Sequence, residues 1–112
     1  MKCLIFSMNI EKLRIAINRG NIEWRKHVLQ RLAERGIKQK DILDVLLAGT
    51  IIEEYVDDKP YPSALFLGFV KSTPIHTVAA FDEKSNYVYI ITAYKPSLNI
   101  FENDFRKRKR ND

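Results

Sequence analysis

The segment HVLQRLAERG, residues 27–36, spaces His27, Arg31 and Arg35 four residues apart. On a helix that spacing lines the three up along one stripe. One of them is an imidazole, the side chain suited to proton exchange, and the other two are guanidinium cations. Side chains of this kind act on anions. An imidazole moves protons, and a guanidinium grips a phosphate through two parallel hydrogen bonds. Cutting RNA without a metal needs both, because a proton must leave the 2′-hydroxyl and a doubly charged phosphorane must be stabilised.

A second group of candidates lies near the end of the chain. Residues 75–81 and 87–94 read as strands flanking the loop DEKSN, a pattern suited to an antiparallel hairpin. Symmetric pairing sets Phe81 opposite Tyr87, Val78 opposite Ile90 and His76 opposite Thr92. His76, Thr92 and Tyr94 then share one face at the open end of the hairpin, and a one-residue slip would undo this. Tyr94 or Trp24 could stack a base. If the helix carrying His27, Arg31 and Arg35 crosses that open end, its stripe faces His76 and Tyr94 over a shallow groove. His76 or His27 would then be general base and acid, and Arg31 and Arg35 would clamp the phosphate. Each residue also has a structural alternative. His27 and Arg31 could be surface groups, with Arg31 paired to Glu34, Glu23 or a carboxylate of the C-terminal segment. His76 could be a hydrogen-bonded core-border histidine, and the Tyr94 ring could simply cover the core.

Other chemistries lack their residues. The chain has no P-loop, no GxGxxG, no CxxC and no nucleophile turn. Two histidines and one distant cysteine fall short of the four ligands a structural zinc takes. No metal and no cofactor is expected.

These residues depend on three helices and about four strands to position them. Residues 9–19 read as a helix capped by Asn9 and stopped at Gly20. Residues 22–35 read as a second helix ended by Gly36. At about 100° per residue, Trp24, Val28, Leu29, Leu32 and Ala33 fill one half of it, with the cationic stripe along the border and Arg25 inside the apolar arc. Residues 38–48 make a third helix closed by Gly49. Period-two strands follow at 51–56, 64–71, 75–81 and 87–94, separated by DDKPYP, STP and DEKSN. The glycine within the 64–71 strand is read as a bulge and Tyr61-Pro62 as turn chemistry. A short helix over 98–107 could lead into the C-terminus. The layout predicts an α+β fold, with two to three N-terminal helices on one face of a four-stranded antiparallel meander.

The 112 residues suit one domain, and 46% apolar residues suffice for a sizeable core. Residues 1–8 read as a leader or an edge strand, with Met1 and Met8 both open as the start. One cysteine, Cys3, permits no internal disulfide. The apolar run CLIFSM is too short for a signal peptide or a membrane span. A soluble, cytoplasmic protein is expected. The net charge of +5 equals the run Arg106 to Arg110, and the remainder balances at 14 basic against 14 acidic residues. Arg106, Lys107 and Arg108 would steer a nucleic-acid strand toward the site, and residues 106–112 form a basic tail.

Taken together, H-x3-R-x3-RG (His27 to Gly36), AG-x-IIE-x-Y (Ala48 to Tyr55), YP (Tyr61, Pro62), LG (Leu67, Gly68), PIH-x-V (Pro74 to Val78), ITAYKP (Ile91 to Pro96) and DFRKR resemble one family, the domain of unknown function 4258. The resemblance runs from Trp24 to Arg108. It implies a relative of the RelE/ParE toxin fold, in which two helices usually precede the sheet, so the N-terminal helix or strand here is an addition. It implies the toxin half of a bacterial toxin–antitoxin pair, with RNA and a cognate antitoxin protein as partners. A binding module without catalysis is the alternative, and a second copy of the chain could cover the basic stripe and a strand edge.

Overall fold

The computed structural model of the chain describes residues 7–96. The elements run α1 (Ile10–Asn18), β1 (Ile22–Glu23), α2 (Lys26–Glu34), α3 (Gln39–Ala48), β2 (Thr50–Tyr55), β3 (Ser63–Val70), β4 (Thr73–Asp82) and β5 (Tyr87–Tyr94). Over the described residues the fold is α+β with three helices. The sheet is five-stranded and mixed, in the order β1-β5-β4-β3-β2, rather than four-stranded and antiparallel as the sequence suggested. The difference lies at Ile22 and Glu23. They pair in parallel with Val88 and Tyr89 of β5 and do not open the second helix. Backbone pairing to a distant strand overrides the local helical period there. The helix therefore starts at Lys26. Arg25 sits ahead of it and forms an ion pair with Glu23 at 3.6 Å, which removes the oddity of a cation in an apolar arc.

Local signals explain the other boundaries. The Asn9 side chain accepts the Lys12 N–H at 3.0 Å and caps α1. The Asp41 carboxylate accepts the Lys38 N–H at 3.1 Å at the start of α3. Gly36 ends α2 at φ +67°, where the Ile37 N–H reaches Leu32 O at 2.9 Å and the Gly36 N–H reaches Ala33 O at 3.2 Å. This double closure fixes where the residue before it, Arg35, leaves the helix. The β3–β4 connection is a two-residue turn at Lys71 and Ser72, both at positive φ, so Thr73 and Pro74 already belong to β4.

All three helices pack on one sheet face. Leu13, Ile17, Val28, Leu32, Ile42 and Leu46 form one cluster with Phe66, Ile75, Ala79, Phe81, Val88, Ile90 and Ala93. Gly68 lies within this contact, and a Cβ there would meet Val45 Cγ2 at 2.9 Å and Val45 Cα at 3.0 Å. The LG pair thus serves a close helix–strand approach rather than a bulge. Arg14 ties α1 to the end of α3 by donating to Leu46 O at 3.1 Å and Gly49 O at 2.9 Å. Among the described residues no helix is long and apolar enough to cross a membrane.

Candidate functional site at the α2–β5 edge

Beyond its pairing with Glu23, the outer edge of β5 meets α2 instead of another strand. There a groove of about 190 Å³ is lined by His27, Val28, Arg31, Leu32, Arg35, Ile91, Thr92 and Ala93. The helical period delivers the three polar groups together. Val28 and Leu32 are buried against the sheet, which leaves His27, Arg31 and Arg35 exposed along the seam with β5. Among the described residues no carboxylate lines the groove. Among the described residues the side chains of His27 and Arg31 make no hydrogen bond or ion pair, and Glu23 is engaged by Arg25.

Arg35 is held differently. Its Nη1 donates to Ala93 O at 2.8 Å and to Thr92 Oγ1 at 3.2 Å. One guanidinium nitrogen thus binds the open edge of β5, while the remaining donors stay available for a ligand. Just past the groove, Lys95 is a further cation beside the end of α2, its Nζ 3.8 Å from where a Cβ on Gly36 would lie. The sequence reading missed Lys95. It carries no periodic signal of its own and lies beside Gly36 only because β5 ends next to the C-terminus of α2.

The structure does not place His76 in this groove. The β4–β5 ladder pairs Asp82 with Tyr87, Phe81 with Val88 and Ala79 with Ile90. An irregularity between Val78 and Ala79 then shifts the register, so Val78 meets Thr92 and His76 meets Tyr94. The symmetric pairing of His76 with Thr92 is therefore corrected, for two physical reasons. The loop is one residue shorter than DEKSN because Asp82 joins the ladder, and the bulge leaves Ile91 out of it. The two displacements add to an even number, so His76, Thr92 and Tyr94 still share a face. That face is the one turned away from the helices, since β4 feeds the helical core through Ile75, Ala79 and Phe81. His76 is fully buried there, with Nδ1 3.3 Å from Tyr94 Oη and its ring edge-on to the tyrosine, 5.3 Å between centroids. The expected convergence of His27, Arg31 and Arg35 with His76 and Tyr94 over one groove does not occur. The nearest link is Thr92, which accepts from Arg35 while sharing the His76 face.

Trp24 packs at the border of the core, following β1 and preceding α2. Arg106, Lys107 and Arg108, the proposed helix over 98–107, and residues 1–6 of the leader or edge strand assigned to residues 1–8 lie outside the described residues, while Ser7 and Met8 belong to no strand. Among the described residues no group of three or more His, Cys, Asp or Glu side chains could hold a metal ion.

No curated protein and no solved structure matches the chain. A family model does match, over residues 24–95, and its description is domain of unknown function DUF4258. The matched span starts at Trp24, ends at Lys95 and contains the whole groove, and the chain belongs to the DUF4258 family.

Proposed function

We propose that this chain acts on RNA as the toxin half of a bacterial toxin–antitoxin pair of the RelE/ParE kind, and that the phosphate backbone enters the α2–β5 groove. The observation that supports this reading is a groove without carboxylates among the described residues, in which Arg31 and His27 are unengaged by them and Arg35 is oriented by the β5 edge. A phosphate there would meet two guanidinium forks and an imidazole. In metal-independent cleavage, His27 takes the proton from the 2′-hydroxyl. The 2′-oxygen then bonds to phosphorus, the bond from phosphorus to the 5′-oxygen breaks, and solvent protonates the leaving oxygen. Arg31 and Arg35 hold the negative charge of the phosphorane. His76 and Tyr94 lie on the other sheet face and take no step in this scheme.

The test is degradation of single-stranded RNA by purified protein in EDTA. Cleavage that His27→Ala and Arg31→Ala abolish, without a change in melting temperature, supports the scheme. A binding module without turnover is the second reading, favoured by the separation of the two imidazoles. It expects RNA to be bound and left intact, with affinity falling steeply as salt rises because each neutralised phosphate releases counterions. A salt-independent affinity would remove phosphate contact from both readings.

A further inference from the structure

The other end of the sheet has the opposite charge. A cleft of about 480 Å³ opens between the β2–β3 loop and the β4–β5 hairpin. Val56, Pro60 and Phe81 supply apolar walls, and among the described residues the lining carries Glu54, Asp82 and Glu83 against one basic residue, Lys84. The approach to it is acidic as well, since residues 53–62 hold Glu53, Glu54, Asp57 and Asp58 against one basic residue, Lys59.

Neutral groups hold two of the rim carboxylates. Glu54 accepts the Ser7 and Met8 N–H groups at 3.0 and 3.1 Å. Asp82 accepts the Ser85 hydroxyl at 2.7 Å and the Lys84 N–H at 3.1 Å. The Ser85 hydrogen bond, first among several, keeps the Asp82 carboxyl below its ordinary value, so it stays ionised. Such partners orient a carboxylate without cancelling its charge. Glu83 meets Lys12 at 3.3 Å with both side chains about half exposed, a pairing that competes weakly with an incoming cation. One side of the cleft is Tyr61, stacked on Tyr89 at 5.3 Å and 12°. The face of such a ring attracts cations.

Apolar walls below a carboxylate rim match a side chain with a hydrocarbon stem and a cationic head, that is, lysine or arginine. We infer that this cleft is a docking site for a basic segment of a partner protein, which inserts one lysine or arginine side chain between Val56 and Phe81 toward Glu54 and Asp82. The charge excludes a nucleic-acid strand from this end, and the inference does not depend on the RNA reading of the α2–β5 groove.

The test titrates the full chain with the hexapeptide Arg-Lys-Arg-Lys-Arg-Lys, with hexaglutamate as control, following backbone amide shifts. The basic peptide alone should bind, with shifts centred on Val56, Phe81 and Lys84. Val56→Lys, at a half-exposed position, fills the cleft with the chain's own cation and should weaken binding about tenfold. Glu54→Gln should weaken it about fivefold. Glu83→Lys, at an exposed rim position, should give the same direction if Val56→Lys perturbs the loop. Arg31→Ala should leave the peptide affinity unchanged, so failure here is distinct from failure of the RNA reading. Shifts centred elsewhere, equal binding of hexaglutamate, or full affinity in both lysine variants would overturn the inference.

Discussion

Arg35 and Arg31 are one helical turn apart on α2, yet their surroundings assign them different duties, and this difference is measurable. Arg35 Nη1 makes two hydrogen bonds, a short one to Ala93 O and a longer one to Thr92 Oγ1. Charge-assisted bonds of this kind contribute about 1.5–3 kcal/mol when buried. The site is partly exposed and the second bond is long, so the pair together is set at about 1–2 kcal/mol. For a domain of this size, 1 kcal/mol moves the melting temperature by about 4 °C, so Arg35→Ala should melt about 4–8 °C lower. Arg31 has no such tie, and Arg31→Ala should melt within about 2 °C of the parent. On the proposed RNA reading of the groove, both variants should lose RNA affinity. Measured by fluorescence anisotropy from about 50 to 200 mM salt, each should lower the salt slope by about one. Arg35→Lys keeps the charge without the fork and should recover part of the melting loss. An Arg35→Ala protein that melts like its parent would show that the β5 tie contributes nothing. An Arg31→Ala protein destabilised as much as Arg35→Ala would turn the stripe into scaffold.

Three further expectations concern the frame around the two sites. Gly68→Ala places a methyl group against Val45 on α3 and should cost about 1–3 kcal/mol by denaturant titration, part of which Val45→Ala in the same chain should restore. Thr77 is fully buried and its hydroxyl has no hydrogen-bond partner among the described residues, so Thr77→Val should raise stability by about 1 kcal/mol. Asp82 has a lowered pKa in the folded chain, so the stability it adds is complete above the ordinary value of 3.8 and fades as pH falls through the folded value. The melting difference between the parent and Asp82→Asn should accordingly narrow on acidification below about pH 4 and hold steady above it.

Much of this architecture was legible because it rests on local rules. The helices around Leu13, Leu32 and Leu46 follow the 3.6 period, and their ends carry the expected Asn9 cap and Gly36 stop. The His27, Arg31 and Arg35 stripe was legible for the same reason. What escaped depends on pairing between remote segments. Ile22 and Glu23 look helical by composition and become a strand only because β5 offers them an edge. The face on which His76 lies relative to α2 follows from the helices covering the Ile75 side, which no local pattern in 75–94 reveals. Lys95 and the acidic cleft were invisible for a related reason, since each gathers residues from segments that meet only in the folded chain.

The parallel seam between β1 and β5 has a consequence for the order in which the molecule is completed. Ile22 and Val88 stand near opposite ends of the described chain, so this junction closes the longest loop in the sheet and gains nothing until the strands between them are in register. α2 is made early and carries its cations from the start, but the wall they work against is the final strand. During synthesis the helix therefore emerges with its stripe and without a groove, and any activity that needs both waits until β5 has been added and docked.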